Sequence, residues 1–456
     1  MLHPSRFTGL GAFALLVATG ACASGPVRAD TPAFMRADAP YSPDSGSIAI
    51  RCGTLIDGVS SRPRAGITVV IEYGRVTEVA SRAAAPTGLA ELDLSGYTCL
   101  PGLIDMHTHL TDRPGDTADL SVYYGRTPEQ EALIARENAR ATLLAGFTTA
   151  RDVGTYIAWT DRTLRDEINA GHAVGPRMQV PGFYLTIPGG GGDLVIPGHA
   201  ESEIPARIRM GVARGADDFR RKTELAVAGG ADFLKIIASG AVLAYGGIPA
   251  APEMTPDEIA AVVDVAHRHG LKVAAHAHGA RSIREAILAG VDTIEHASLI
   301  DDEGIELARR HQVALSMDVY NGDYIDTEGR RQGWPEEFLR KNTETTEVQR
   351  QNFTRAHAAG VPIVFGTDAA VYPHGLNARQ FEIMVQRGMS PMEAIQAATS
   401  VAARYMGWQD RVGSIVPGRY GDLIAVAGDP LQDVRRLQDV AAVIKGGLAF
   451  KLPRRR

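Results

Sequence analysis

The sequence predicts an α/β protein built as a (β/α)8 barrel, also called a TIM barrel, with a small β-sandwich domain made from both chain ends. The first observation is that apolar strand-like runs alternate with helical segments between residues 103 and 406. The second is that these runs are nearly continuously apolar, as is typical of parallel strands that are buried on both faces. The third is their number, because eight such units close a barrel.

The eight strand candidates are each followed by a candidate helix. They are GLIDMHTH, GFTTARDV, RMQVPGFYL, ADFLKIIAS, LKVAAHAH, GVDTIEHA, QVALSMDV and VPIVFGTD. Three helix starts carry capping boxes, in which a hydroxyl residue precedes a proline and a Glu or Gln stands three residues after the cap. The capping residues are Thr127, Thr255 and Ser390.

Both chain ends consist of short segments with period-two apolar alternation, separated by Gly, Asp and Ser. We expect residues 47–102 and 411–456 to meet in one β-sandwich domain, with the barrel of residues 103–410 inserted between them. Residues 30–46 are rich in Ala, Pro, Ser and Asp without periodicity, which is typical of a flexible leader.

The first residues have the features of a secretory signal. A short polar start precedes LGAFALLVA, an apolar run too short to span a bilayer, and small residues follow. We expect residues 1–29 to be a signal peptide, cleaved after Ala23 or Ala29. Lipidation of Cys22 is a third outcome, because TGAC resembles a bacterial lipobox, although Thr19 stands where Leu is usual. An uncleaved anchor is a further alternative. The expected location is periplasmic, secreted or lipid-anchored to a bacterial membrane.

The composition indicates which partners are expected and which states the cysteines can adopt. The 456 residues carry a formal net charge of -6, so no basic surface for nucleic acid is expected. Beyond the predicted signal peptide only Cys52 and Cys99 remain, both in the small domain. Export permits a disulfide between them, and two buried free thiols are equally compatible with the sequence.

The carboxyl ends of barrel strands carry the reactive groups of such folds, and here they carry side chains that bind metals. His107 and His109 end the first strand and share one face, because side chains two residues apart in a strand point the same way. Each candidate alone also has an ordinary structural explanation, but together they predict a metal site. The remaining candidates are Lys235 on strand four, His276 on strand five, His296 on strand six and Asp368 on strand eight.

Substrate contacts are predicted at three further positions. His278 follows His276 by two residues and faces the same side, so it can bind substrate or stabilise an oxyanion, or else support His276 by a hydrogen bond. Tyr245 and His374 lie in the loops after strands four and eight and are candidate substrate contacts.

The residue types of two other stretches also lead to expectations. Arg151 and Asp152, at the end of strand two, are expected to form a structural ion pair, because an arginine beside a metal site would oppose it electrostatically. Four consecutive glycines at 189–192 are expected to form either a mobile loop over the site mouth or a permissive connector.

The motifs PGLIDMHTHL, ADFLKI, VAAHAHG, TIEHASL and VFGTDA resemble those of the amidohydrolase superfamily of metal-dependent hydrolases. The C-terminal run IVPGRYGDLIAVAGDP is similar to the superfamily's P-G-x-x-A-D-L segment, with Gly421 in place of the usual Ala. The resemblance spans about residues 48–450. Within the superfamily the chain is most similar to the Xaa-Pro and Xaa-Arg dipeptidases, a prolidase-like group whose relatives include ochratoxin-hydrolysing amidases. Such relatives often carry T-G-G-H-G where this chain has its glycine run.

The resemblance implies two zinc ions per chain, bridged by an N6-carboxylated Lys235. A carbamate can bridge ions that lie roughly 3.5–4 Å apart, and such a metal pair lowers the pKa of water toward about 7. Asp368 would act as the general base and then as the acid toward the leaving amine. The implied ligands are His107, His109 and Asp368 for one metal, and His276 and His296 for the other.

The sequence therefore predicts an exported binuclear zinc amidohydrolase that cleaves the amide bond to a C-terminal amino acid. It would act as a dipeptidase, N-acyl-amino-acid hydrolase or carboxypeptidase-like enzyme on small molecules, with ochratoxin-type aromatic amides as further candidate substrates. The alternative is a mononuclear-metal deaminase or an imidazolonepropionase-like cyclic amidohydrolase, whose members generally lack the bridging lysine. A ligand-binding scaffold is the non-enzymatic alternative. Relatives commonly form homo-oligomers, often octamers, and the same is expected here.

Overall fold

The computed structural model describes residues 41–81 and 85–454, so the predicted signal peptide and residues 30–40 of the leader lie outside the described residues. The strands within these ranges are β1 (Ile48–Leu55), β2 (Arg64–Glu72), β3 (Arg75–Ser81), β4 (Ala90–Pro101), β5 (Leu103–Thr108), β6 (Phe147–Asp152), β7 (Arg177–Gln179), β8 (Tyr184–Leu185), β9 (Phe233–Ile237), β10 (Lys272–Gly279), β11 (Thr293–Leu299), β12 (Ala314–Ser316), β13 (Ile363–Val364), β14 (Leu423–Ala427), β15 (Val440–Lys445) and β16 (Leu448–Lys451).

The helices connect these strands, and none of those in the described ranges combines the length and apolarity needed to cross a membrane. They are α1 (Val122–Gly125), α2 (Pro128–Leu144), α3 (Thr160–Asn169), α4 (Ala216–Ala228), α5 (Pro256–Arg268), α6 (Ala280–Ala289), α7 (Asp302–His311), α8 (Asn321–Tyr324), α9 (Arg330–Gln332), α10 (Glu336–Ala358), α11 (Gln380–Gln386), α12 (Pro391–Ala397) and α13 (Ser400–Tyr405).

The predicted capping boxes are confirmed at α2, α5 and α12. The side chains of Thr127, Thr255 and Ser390 each accept a hydrogen bond from the backbone N–H three residues later. The Gln or Glu at that third position bonds back to the backbone of the cap. These boxes satisfy N–H groups that a helix start otherwise leaves unpaired.

The middle of the chain is a TIM-barrel-like α/β fold. Strands β5 to β7 form one parallel sheet, and β8 to β13 form a second, with helices between successive strands. The predicted third strand is split into β7 and β8, and Pro181 lies in the gap, where it cannot donate a ladder hydrogen bond. Backbone bonds join the edges of the two sheets, from Met106 N to the Phe365 carbonyl (2.8 Å) and from Asp232 N to the Val180 carbonyl (2.8 Å).

The two chain ends meet in one seven-stranded sheet with the order β16-β15-β14-β4-β1-β2-β3. All seven strands are joined by hydrogen bonds, and their arrangement into the two layers of the predicted sandwich stays a prediction. They are joined because β4 is long: its twelve residues pair with β1 over one stretch and with β14 over another. Strands from both ends are thereby held in a single hydrogen-bonded sheet.

A disulfide joins Cys52 on β1 to Cys99 on β4, with the two Cα atoms 5.8 Å apart. Both residues are buried in the apolar core of the seven-stranded sheet. Of the two outcomes that the sequence allowed, the structure has the disulfide.

Residues 41–46, which the sequence assigned to the flexible leader, lie against the rest of the protein. The Tyr41 hydroxyl donates to the Ala173 carbonyl (3.3 Å) just before β7. Asp44 accepts a hydrogen bond from Arg177 (2.8 Å), and Arg177 also bonds to Asp422 (2.7 Å). This end of the leader is therefore attached to both the barrel and the seven-stranded sheet.

Candidate active site

A cavity of about 1090 Å³, including its open mouth, lies at the carboxyl ends of the parallel strands. The side chains predicted to bind metal all line it, and His278 lines it with them. The structure thus brings together His107, His109, Lys235, His276, His278, His296 and Asp368.

Strand periodicity explains why two histidines of β10 enter the cavity. Val273, Ala275 and Ala277 point away from it into the apolar core. The alternating positions carry His276 and His278, whose ring centroids lie 4.7 Å apart. Side chains two residues apart share a face of a strand, so both imidazoles face the cavity.

The two histidines at the end of β5 are oriented by hydrogen-bond partners outside the cavity. His107 Nδ1 lies 2.8 Å from Glu295 Oε2, and His109 Nδ1 lies 2.9 Å from the Gly154 carbonyl. Each ring therefore turns its Nε2 toward the cavity, at 3.4 Å and 3.2 Å respectively from Asp368 Oδ1. Holding one ring nitrogen while leaving the other free is the usual arrangement of a metal-binding histidine.

His296 and His278 show the same arrangement on the neighbouring strands. His296 Nδ1 lies 3.0 Å from Asp318 Oδ1, and His278 Nδ1 lies 2.8 Å from Ser298 Oγ. The imidazoles of His276, His278 and His296 are close enough to share one ion, with ligand atoms within 4.8 Å of one another.

A second group of potential ligands consists of His107, His296 and Asp368, whose ligand atoms also lie within 4.8 Å of one another. His296 is common to both groups. Nitrogen donors with one carboxylate suit zinc and related transition metals rather than calcium or magnesium. The residues present therefore fit one or two such ions.

Lys235 lies in the cavity wall with 2% of its surface exposed, and its Nζ has no hydrogen-bond partner among the described residues. Burial lowers the pKa of this amine to about 8, an effect that Glu295 opposes and Arg151 reinforces. A buried amine without a hydrogen-bond partner is unfavourable in a folded protein. This position is explained if another group completes the site around it.

Asp368 follows β13 in a left-handed backbone conformation, with φ of 56°. Such a conformation costs a non-glycine residue roughly 1–3 kcal/mol and is concentrated at functional sites. Burial alone would raise the pKa of its carboxyl, but hydrogen bonds from His107 and His109 hold it well below the usual range. Asn321 donates to its other oxygen at 3.0 Å, which fixes the plane of the carboxylate.

The pKa values of the histidines in this cavity shift in opposite directions. Burial opposes a positive charge on His109, but the adjacent Asp368 raises its pKa to about 9. Burial, followed by the neighbouring His296, lowers the pKa of His278 to about 3 and that of His276 well below its usual value. The cavity is therefore organised around the Asp368 carboxylate on one side and neutral imidazoles on the other.

The predicted Arg151–Asp152 ion pair is wrong. Arg151 instead bonds to Glu295 Oε1 (2.6 Å) and to the Met106 carbonyl (2.7 Å). Asp152 accepts from the backbone N–H of Leu110 at 2.6 Å. Adjacent residues of a strand point to opposite faces, so the two charges cannot meet.

Asp318 is a site residue that the sequence interpretation missed. It holds His296, accepts from Gln349 Nε2 (2.8 Å) and from Asn321 Nδ2 (2.9 Å), and lines the cavity. It stands at the end of the predicted seventh strand, QVALSMDV, so the criterion applied to the other strand ends would have found it. Glu295 was missed as well, although it directly precedes His296.

Tyr245 and His374 are not among the residues that line the cavity. The His374 ring is buried, with Nε2 3.3 Å from the His109 carbonyl and Nδ1 3.2 Å from Thr142 Oγ1. Tyr245 packs on Phe338, with ring centroids 4.8 Å apart. Both residues thus support the walls, which corrects their assignment as substrate contacts.

The glycine run reaches the cavity through Gly191 and Gly192. The Gly191 N–H donates to Glu253 Oε2 at 2.9 Å. A Cβ atom at Gly190 would lie 2.6 Å from the same oxygen, so a larger residue there would displace the Glu253 carboxylate. The glycines therefore allow close packing, and the loop is attached to the protein rather than free over the mouth.

Comparison with known proteins agrees with this arrangement. Ochratoxinase from Aspergillus niger is 29% identical over 423 residues, which cover 89% of this chain and 86% of that protein. An imidazolonepropionase from Cupriavidus pinatubonensis is 25% identical over 418 residues, covering 82% and 86%. The solved structure of a Xaa-Pro dipeptidase with methionine bound in its active site has a TM-score of 0.84 and 33% identity, covering 89% of this chain and 100% of that one.

The model of the Amidohydrolase family matches residues 98–449, which is most of the chain and includes every cavity side chain described above. The match agrees with the resemblance that the strand-end motifs carry, and with the prolidase-like and ochratoxin-hydrolysing relatives. The chain belongs to the amidohydrolase family and is a hydrolase that acts on amide C–N bonds.

Proposed function

We propose that this protein is a binuclear zinc amidohydrolase that hydrolyses the amide bond to a C-terminal amino acid, as a dipeptidase or N-acyl-amino-acid hydrolase. The observation that carries the proposal is the buried Nζ of Lys235, which lacks a hydrogen-bond partner among the described residues. Burial is the main cause that lowers the pKa of both His107 and His276, and the Lys235 charge lowers both further, so Lys235 lies near histidines of both ligand groups.

The proposed ligands follow from this position of the lysine. Carboxylation of Lys235 Nζ would give two oxygens that bridge two ions, which explains an amine with no other partner. When bound, the ions would polarise the scissile carbonyl and lower the pKa of water toward about 7. One ion would be held by His107, His109 and Asp368, and the other by His276 and His296.

The protein's own residues would carry the proton. Asp368 is oriented by Asn321 and lies beside the Nε2 atoms of His107 and His109. From that position its carboxylate can accept the proton of the attacking water and deliver it to the leaving amine. His278, whose Nδ1 is held by Ser298, turns its other nitrogen toward the cavity and would contact the substrate carbonyl.

The substrate class is supported by the relatives. The dipeptidase structure with bound methionine is 33% identical to this chain, and ochratoxinase is 29% identical. The cavity is also lined by three tyrosines, which suit aromatic or apolar side chains. These residues are Tyr123, Tyr156 and Tyr184.

A deaminase or cyclic amidohydrolase with one metal is the second candidate, and the 25% identity to an imidazolonepropionase favours it. Lys235 distinguishes the two hypotheses, because a mononuclear site needs no bridging lysine. Elemental analysis decides between them: two zinc ions per chain support the first proposal and one supports the second. If the protein binds amides that resemble substrates but hydrolyses none of them, the non-enzymatic alternative of a ligand-binding scaffold would be supported.

The direct test is a screen of dipeptides and N-acyl amino acids against the zinc-loaded mature protein, with the released amino acid measured. We expect release from at least one class of C-terminal amino acid, and loss of release after chelation. Full activity in the chelated protein would contradict the proposal.

We also infer that the parallel strands form one closed eight-stranded barrel over residues 103–410, with the small domain from residues 47–102 and 411–456. The backbone bonds between the sheet edges support closure.

The Cys52–Cys99 disulfide supports export to an oxidising compartment. We further propose a signal peptide over residues 1–29, with a lipid anchor at Cys22 as its alternative outcome. We also propose that the protein forms a homo-oligomer, octameric as in relatives.

A further inference from the structure

Asp112 is a charged residue of the cavity that the proposed mechanism does not use. It follows β5 on the loop after His109, and its backbone N–H donates to the His109 carbonyl at 3.2 Å. Its side chain lines the cavity with 9% of the residue exposed. Carboxylate oxygen Oδ1 has no hydrogen-bond partner among the described residues.

No protein cation in the described part of the chain forms an ion pair with this carboxylate. The Arg126 guanidinium, whose charge acts on Asp112, is bonded to Asp116 at 2.7 Å and lies over the Tyr123 ring, 4.7 Å from its centroid. Buried charges in proteins are normally paired, because an isolated one is strongly unfavourable. The Tyr123 side chain hydrogen-bonds to the Asp112 carboxyl, and the charges of His109 and Arg126 act on it. Because Oδ1 still lacks a partner among the described residues, Asp112 has an unused capacity to accept a hydrogen bond from a positively charged group.

Aromatic rings connect Asp112 with the reaction centre. The Tyr123 and Tyr156 centroids lie 4.9 Å apart, those of Tyr156 and Tyr184 lie 5.3 Å apart, and Tyr184 lies 6.1 Å from the His109 ring. Burial, and then the charges of Asp112 and Asp368, raise the pKa of Tyr156, so both carboxylates act on this phenol. Tyrosine faces attract cations, which adds to the effect of the carboxylate.

We propose that Asp112, with the rings of Tyr123 and Tyr156, forms a subsite for a positively charged group of the substrate, an ammonium or a guanidinium. This inference rests on the proposed function, because it places the subsite beside the centre that cleaves the amide. Substrates with a free α-amine or a basic side chain are then preferred over neutral N-acyl amino acids and aromatic amides.

Two matched substrate pairs identify the source of the charge. Leucyl-phenylalanine and N-acetyl-leucyl-phenylalanine differ in the α-ammonium. N-acetyl-leucyl-arginine and N-acetyl-leucyl-citrulline differ in the guanidinium. We expect kcat/KM of the zinc-loaded enzyme to favour the charged member of one pair by about tenfold or more, the range for a hydrogen bond between charged groups.

In the variant Asp112→Asn that ratio should fall close to one. Any part of the ratio that comes from the different sizes of the pair members would remain in this variant, so its loss identifies the effect of the charge. Asp112→Glu retains the charge and should retain the preference. Asp119→Asn is the matched control, because Asp119 is exposed on the same connection and its side chain bonds to Ser121. It should keep the wild-type ratio.

A preference below threefold in both pairs, or one that persists in Asp112→Asn, would overturn the inference. Failure of all four substrates would instead contradict the proposed function. In that case, or if the variant does not fold, calorimetry on the wild-type protein provides the test. Leucinamide and argininamide should bind about tenfold more tightly than their neutral counterparts, N-acetyl-leucinamide and N-acetyl-citrullinamide, and equal affinity would overturn the subsite.

Discussion

Glu295 connects Arg151 to His107: its Oε1 lies 2.6 Å from the Arg151 guanidinium and its Oε2 lies 2.8 Å from His107 Nδ1. All three side chains are almost completely buried. The arginine that the sequence interpretation kept away from the metal site thus acts on it through a carboxylate. Burial opposes a charge on Glu295, but Arg151 and His107 hold its pKa well below the usual range.

The substitution Glu295→Gln should destabilise the protein by about 3–5 kcal/mol, because it leaves the Arg151 charge buried without its partner. It should also weaken zinc binding roughly 10- to 100-fold, since His107 loses the group that orients it. Denaturant unfolding and competition with a chelating dye measure these effects. The control is Glu306→Gln, at a surface ion pair with Arg309, where we expect no clear change in the free energy of unfolding or in zinc binding. Equal effects of the two substitutions would contradict this role for Glu295.

Replacing the buried lysine should remove metal and activity together. In Lys235→Ala we expect fewer than two zinc ions per chain, and kcat/KM lower by roughly a hundredfold or more. Lys272→Ala is the matched control, because Lys272 is half-exposed and pairs with Asp292 at 2.9 Å. Adding acetate or propionate, which can occupy the space of a carbamate, should restore part of the activity of Lys235→Ala alone. Unchanged metal content in this variant would argue against the bridging role.

Zinc should stabilise the folded protein because the unfolded chain does not preserve the site. At free zinc one hundred times its Kd, the free energy of unfolding should rise by about 2.7 kcal/mol. Thermal unfolding before and after chelation measures the change. Calcium is the control ion, since it prefers oxygen ligands and this site presents imidazoles. Equal stabilisation by both ions would contradict a zinc site built from these histidines.

Much of this site could be predicted because its signals are local. A period-two pattern defines each strand, and the residue at a strand end is then known to face the cavity, as for His276 on β10. The capping hydroxyls are local signals in the same way. The six candidate ligands meet in one cavity for this reason, although they lie up to 261 residues apart in sequence, from His107 to Asp368.

Relationships through space could not be predicted with the same certainty. Nothing local shows that Arg151 bonds to Glu295, which is 144 residues away. The loop residues His374 and Tyr245 were assigned from position alone, and loop conformation decides which way such side chains point. The single seven-stranded sheet depends on how β4 divides its pairing between β1 and β14, which apolar alternation does not encode.

The disulfide of the small domain should contribute to stability without affecting catalysis. Cys52 and Cys99 are separated by 47 residues, and closing a loop of that length in the unfolded chain corresponds to about 4 kcal/mol. Denaturant unfolding of the double variant Cys52→Ala/Cys99→Ala should show a loss near that value, with kcat/KM unchanged. Under reducing conditions the wild type also lacks the bond. If the double variant were then less stable than the wild type by the same amount, the assignment would be contradicted.

Lys445 should make stability depend on pH. Its buried Nζ donates to the Gly175 carbonyl at 2.7 Å, and burial, with the nearby Arg177, lowers its pKa to about 7 from 10.5. Between these values the unfolded chain binds a proton that the folded protein does not, so stability rises with pH across this window. Below pH 7 both states are protonated and the buried charge is most unfavourable.

Replacing this lysine with methionine removes that buried charge, so Lys445→Met should be more stable than the wild type at pH 6, by about 1–3 kcal/mol after loss of the bond to Gly175. The difference should shrink steadily as the pH rises from 7 toward 10, because the folded amine is neutral in this range while the unfolded chain holds its proton less and less favourably, so the wild type gains stability. Urea unfolding of both proteins at pH 6, 8 and 10 measures it. Lys451→Met, at a half-buried lysine of the adjacent strand β16, is the control and should show a smaller dependence. A difference that is constant with pH would mean that the Lys445 amine stays charged in the folded protein.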